Sequence, residues 1–163
     1  MKIVRTNSEN KDFINLVKEL DAYLKVTDGD EHDFYNQFNH IDLLQHVVVF
    51  YMDKVPVGCG AIKRFDTELS SVQVNSMEVK RMYVSPDFRG KQVAQKILSE
   101  LETWAKELGA KKCVLETGKR QVEAVKFYKK CNYKIIPNYG QYIGMENSIC
   151  FEKELTGIKT CEV

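Results

Sequence analysis

Apolar positions along the chain repeat with two periods, and the switching between them outlines a sheet interleaved with helices. Phe13, Leu16, Val17, Leu20, Tyr23 and Leu24 recur at three- and four-residue spacing, which predicts a helix over residues 11–24. A short strand over 2–5 precedes it, and Asn7 and Ser8 offer N-cap chemistry between the two. Phe34, Phe38, Ile41 and Leu44 predict a second, less regular helix after an acidic loop at 27–33. Residues 47–52 and 57–65 are β-rich and flank Asp53-Lys54, so they read as an antiparallel hairpin. A polar turn at 66–71 leads to a strand over about 74–84.

The clearest helix follows. Val93, Ile97, Leu101, Trp104, Ala105 and Leu108 form one stripe, Lys96 with Glu100 and Glu102 with Lys106 lie one turn apart, and Gly109 supplies a stop. A strand over 113–117 then makes strand, helix, strand, the pattern of a parallel crossover. A helix over 122–131 ended by a left-handed Asn132, a strand over 133–136 stopped by Pro137, and a strand over 148–154 complete the order, with a loose tail from Thr156. The sum is a single mixed α/β domain over 1–163, with a twisted sheet of about six or seven strands and helices on both faces.

The stretch from Glu78 to Leu98 organises the rest. Alternation puts Met77, Val79 and Tyr83 on one face of its strand and Glu78, Lys80, Met82 and Val84 on the other. Ser85-Pro86-Asp87 ends the strand, and the basic turn Arg89-Gly90-Lys91 opens the helix. Backbone N–H groups and positive side chains thus meet at a helix N-terminus beyond the C-terminal edge of a parallel strand, where phosphates bind.

A net charge of +1 over 163 residues supplies no global field for nucleic acid or an acidic membrane, so an anion site must be built locally. Five cysteines without a Cys-x-x-Cys pair imply neither a disulfide framework nor zinc, and His32, His40 and His46 form no metal constellation; no metal is expected. With no apolar run long enough for export or a membrane span, the expectation is a cytoplasmic protein, and a homodimer is compatible with it.

Arg89-Gly-Lys-Gln-Val-Ala94 resembles the pyrophosphate loop of the GNAT superfamily of acetyl-CoA-dependent N-acetyltransferases. Residues 79–84 resemble the strand before it, and Ala124-Val-Lys-Phe-Tyr128 with Asn132-Tyr133 resembles that family's later helical segment. The resemblance implies a GNAT-type sheet and acetyl-CoA as cosubstrate. It assigns the pantetheine amides to the backbone at Met82, Tyr83 and Val84, and the pyrophosphate to Arg89, Gly90, Lys91, Gln92, Val93 and Ala94. Gln121 stands where the family commonly has asparagine, beside Ala124. Gln92 departs from the pattern, since glycine is usual there.

Acetyl transfer to an amine needs that amine without its extra proton, and a lysine-like amine is neutral in only about one molecule in 10³ at pH 7. The resemblance makes Glu78 the base and makes Tyr128, protonated at pH 7, the acid for the departing thiolate; Glu116, before Thr117 at a strand end, is a reserve base. Tyr23, Asp28 and His32, in and near the acidic segment, and Tyr139 and Tyr142, flanked by glycines, are the candidate acceptor contacts. The expected reaction is direct acetyl transfer to a small-molecule amine such as an amino acid or polyamine. A protein lysine or N-terminal acetyltransferase and a silent acyl-CoA sensor are the alternatives.

Overall fold

The computed structural model describes residues 1–31, 44–65 and 75–155. Its strands form one mixed sheet in the order β1-β2-β3-β4-β5-β7-β6. These are β1 (Lys2–Thr6), β2 (His46–Met52), β3 (Val55–Arg64), β4 (Ser76–Val84), β5 (Lys112–Gly118), β6 (Lys134–Ile136) and β7 (Ser148–Glu154). The helices are α1 (Lys11–Asp28), α2 (Val93–Glu107) and α3 (Val122–Lys130). The second helix expected around 34–44 and the tail from Thr156 lie outside the described residues. No helix among the described residues is long and apolar enough to cross a membrane.

The first four strands pair antiparallel in sequence order, with Asp53 and Lys54 both at positive φ in the two-residue turn between β2 and β3. β4 and β5 pair parallel across α2, as the crossover pattern requires. α2 and α3 pack on one face, where Ile97, Leu98 and Leu101 meet Val48, Phe50, Ile62, Val79 and Leu115. α1 covers the β1–β4 half of the other face through Phe13, Leu16, Val17 and Leu20. The β5–β7 half of that face is covered by the loop before β7, which buries Tyr139 and Tyr142 against Val114 and Cys150.

Several expectations change in detail. α1 runs one turn further than residue 24, which makes Asp28 its buried last residue instead of a loop residue. Its N-cap is Asn10, whose side chain accepts from the Phe13 N–H at 3.0 Å, while Asn7 accepts from Glu9 N–H in the turn before it. In α2, Leu98 is buried and Leu108 is 47% exposed, because the helix ends before Leu108 returns to the sheet. The expected pairs along that helix give way to ties with the sheet: Glu100 bonds Arg5 at 2.7 Å and Glu102 bonds Lys153 at 2.9 Å.

The largest correction concerns β4. Ala61 pairs with Lys80 and Cys59 with Tyr83, so two residues, Arg81 and Met82, oppose Gly60 alone. This is a β-bulge, with Arg81 at φ 58. The extra residue reverses the alternation beyond it. Met77, Val79, Met82 and Val84 all pack towards α2, while Tyr83 joins the α1 cluster. Glu78 therefore does not share a face with Met82 and Val84.

Candidate active site

β4 and β5 are paired only at Ser76 with Lys112, Met77 with Cys113 and Glu78 with Val114. Past that point the strands part, because the bulge turns β4 away while β5 continues straight along β7. The opening is a wedge through the sheet that side chains from both faces enter. At its centre is a cavity of about 130 Å³. β4 contributes Glu78 to Met82, β5 contributes Glu116 to Gly118, α3 contributes Gln121, Ala124 and Tyr128, and α1 contributes Leu20, Leu24 and Asp28, with Tyr142 completing the wall.

Charge in this cavity is dense and mostly paired. Glu78 is 3% exposed; its Oε2 accepts from the Tyr139 hydroxyl at 2.8 Å and its Oε1 lies 3.6 Å from Lys80 Nζ. Burial pushes the Lys80 ammonium below its ordinary pKa, against the pull of Glu78 in the other direction. Burial pushes the Glu116 carboxyl up to about 7, although Ser148 and Lys80 draw it down. Arg81 is buried and donates to Asp21 of α1 at 2.7 Å, which fixes the bulge to the helix above it. Arg120 donates to the Asp28 carbonyl at 2.9 Å, tying the end of α1 to the loop after β5.

Tyr128 comes from α3, its ring packed against Phe127, Tyr133 and Phe151. Burial raises its hydroxyl pKa further above neutrality, so it is protonated at any physiological pH. Asn147 adds a residue that no sequence pattern marked. Its Nδ2 is buried without a hydrogen-bond partner among the described residues, and a Cβ on Gly118 would stand 3.5 Å from it and from Gln121 Nε2.

At the top of the wedge, Pro86–Phe88 forms a single 3₁₀ turn, Gly90 takes φ 78, and Gln92 takes φ 64 at the N-cap of α2. The loop needs a left-handed residue at 92, which explains why glycine is the usual choice. Glutamine adopts the same backbone at a cost of about 1 kcal/mol. A side chain at Gly90 would meet nothing within 4 Å, so the loop is open to a ligand on that side. Arg89 braces it: Nε donates to the Val84 carbonyl at 2.9 Å, and the guanidinium lies 5.7 Å from the Tyr23 ring and 5.8 Å from the Tyr83 ring.

The structure thus brings Glu78, Tyr128, Gln121, Ala124, Asp28, Tyr142 and Met82 to one cavity. Tyr83 and Val84 lead from it to the loop at 89–94. Tyr23 is not part of that cavity; it is 43% exposed and holds Arg89. Tyr139 and Tyr142 are buried core residues rather than a flexible cover, since their rings pack edge to face and Tyr139 also packs on Phe65. His32 lies outside the described residues. The four described cysteines are unpaired with one another, and no metal-holding cluster occurs among the described residues.

Comparison with known proteins agrees with this geometry. The chain is 33% identical over 149 residues to an IAA acetyltransferase of Azospirillum brasilense, covering 87% of this chain and 90% of that protein. Its fold matches a nominal acyl-CoA N-acyltransferase of Klebsiella pneumoniae with a TM-score of 0.75, 27% identity and coverage of 95% and 97% of the two chains. It also matches the PaiA N-acetyltransferase of Thermoplasma acidophilum, solved in complex with coenzyme A, with a TM-score of 0.66, 19% identity and coverage of 94% and 98%. Residues 13–133 match the acetyltransferase (GNAT) family, and with a splayed β4/β5 pair, a basic loop at the head of α2 and an inward tyrosine on α3, the chain belongs to that family.

Proposed function

We propose that this protein transfers the acetyl group of acetyl-CoA to the primary amine of a small molecule by direct attack in a ternary complex. Its cosubstrate, acetyl-CoA, supplies the acetyl group as a thioester. The observation that carries the reading is the wedge: beyond Glu78 one backbone edge of β4 has no strand beside it, and it runs from a cavity with carboxylates and Tyr128 to an anion-binding loop. Met82, Tyr83 and Val84 offer that edge to the pantetheine amides, as an added strand would use it. Gln121 and Ala124 line the opposite wall. Backbone N–H groups of residues 90–94, with Arg89 and Lys91, hold the diphosphate at the N-terminus of α2.

In the cavity, a carboxylate takes the amine proton and the Tyr128 hydroxyl supports the sulfur as it leaves. Because burial makes that tyrosine a reluctant acid, its hydrogen bond to the thiolate matters more than complete transfer. Asp28, Glu78 and Glu116 meet Lys80 and Arg81 around the cavity, and with burial pushing Glu116 up to about 7 the two signs nearly balance. The small volume and the Arg120 tie at the α1 end favour a small molecule over a peptide. Gln92 takes the left-handed backbone that glycine would take, which supports a loop of the usual shape.

The test is thiol release from acetyl-CoA across a panel of polyamines, aromatic amines and amino acids. IAA, the acceptor in the name of the Azospirillum relative, belongs in the same panel. Amine-dependent release well above hydrolysis is expected. Saturable CoA binding with no acceleration by any amine would contradict the proposal.

A further inference from the structure

The cavity that would receive the acceptor amine already holds an amine of its own. Among the described residues that line it, Lys80 is the one lysine, and its side chain is 8% exposed. It lies two residues beyond Glu78, the last β4 residue with a partner on β5, and just before the bulge at Arg81. The edge of β4 away from β3 thus runs from the loop at 89–94 through Val84, Tyr83 and Met82 to Lys80. With a diphosphate held at that loop, the other end of the cosubstrate, its thioester, is directed towards Lys80.

We infer that Lys80 is itself a modification site: when no acceptor is present, the protein acetylates its own Lys80 Nζ from bound acetyl-CoA and so closes its cavity. This rests on the acetyltransferase reading above. Lys80 attacks as the neutral amine, one proton having left for solvent. Its lone pair forms the C–N bond to the acetyl carbon as the C–S bond breaks, with that electron pair left on sulfur. The proton that the nitrogen sheds is taken by the Glu78 carboxylate, whose Oε1 lies 3.6 Å away, and the sulfur takes one from the Tyr128 hydroxyl. Exchange with solvent restores both side chains, and the net change is an ε-amide and a free thiol.

The surroundings suit that step. Burial lowers the Lys80 pKa, helped by Lys63 of β3 and Arg81, and outweighs the opposite pull of Glu78 and of Glu116 on β5. An ordinary lysine is neutral in only about one molecule in 10³ at pH 7, so Lys80 has the larger nucleophilic share. The product also changes the site. Acetylation removes one of the two cations that balance the carboxyls and puts an uncharged amide with a methyl group into a cavity of about 130 Å³. An acceptor then has neither the space nor the charge pattern it would meet in the unmarked protein.

The experiment incubates the protein with acetyl-CoA and no amine, over a range of protein concentrations, and follows acetyl uptake by intact mass and peptide mapping. Wild type should gain a single acetyl group, on Lys80, at a rate per chain that does not change with protein concentration, and a saturating amount of the best amine of the panel should suppress it. Turnover of that amine should then fall in proportion to the fraction of Lys80 marked, whereas Lys80→Arg, which keeps the charge, should lose none of its own starting activity in the same incubation. Uptake spread over exposed lysines such as Lys126 with none on Lys80 would overturn the inference, as would a rate per chain that rises with protein concentration. Amine acetylation with Lys80 unmarked would bring down this inference alone, and no binding of CoA would bring down both. A marked Lys80 with no amine acetylated would uphold the inference and contradict the small-molecule reading. Should Lys80→Arg fail to fold, the wild-type peptide map and its concentration series decide.

Discussion

β4 and β5 begin as neighbours and end as the two walls of a cleft. At the closed end, Met77 and Cys113 pair and pack into the α2 core, and regular alternation sets which side chains are buried. At the open end the same two strands expose backbone and gather charge, and the cause is one additional residue. Arg81, at φ 58 and anchored to Asp21, turns β4 aside while Gly60 leaves room for Met82 behind it. Core packing follows the complete ladder, and the cavity opens where the ladder is interrupted.

The sharpest way to break this contrast is at the chemical end. Replacing Tyr128 by Phe leaves the ring packing and removes only the hydroxyl, so kcat should fall on the order of 10²-fold or more with CoA affinity nearly unchanged. An unchanged kcat would assign Tyr128 to packing alone. The next effect falls on the bulge itself. A Cβ on Gly60 would come within 2.5 Å of Met82 Sδ and 2.8 Å of Leu101 Cδ1, so Gly60→Val should destabilise the fold by about 1–3 kcal/mol in denaturant titration. Wild-type stability in that variant would show that the bulge is not held from behind. Arg89→Ala removes a loop brace and a charge, and calorimetry should show CoA affinity reduced about tenfold, equivalent to about 1.4 kcal/mol. The smallest change is Gln92→Gly: release from the left-handed backbone should raise stability by less than about 1 kcal/mol and leave CoA binding at least as tight.

Much of this architecture was legible because it depends on periodicity. The stripe along α2, the parallel crossover and the basic turn at its head follow from local pattern, and the left-handed Asn132, at φ 70, follows from its place after a helix. The site was legible less evenly. A period-two argument cannot see a bulge, so Met82, Tyr83 and Val84 were put on the wrong faces although they lie in the right strand. Asp28 reads as a loop residue because the apolar stripe of α1 ends at Leu24, whereas the helix continues through Lys25, Val26 and Thr27. Tyr23 looks like an acceptor contact because aromatic and acidic residues cluster in sequence, yet its helix face turns it to Arg89. Asn147 carries no local signal, since its place depends on Gly118 and Gln121, which pairing of β5 with β7 brings beside it.

The claim on which all else depends is that the unpaired edge of β4 receives the cosubstrate. Hydrogen exchange of backbone amides with and without CoA addresses it most directly. Amides within residues 80–84 and 90–94 should slow when CoA is added, while those of residues 76–78, already paired to β5, should not change. Protection that leaves residues 80–84 untouched would contradict the account.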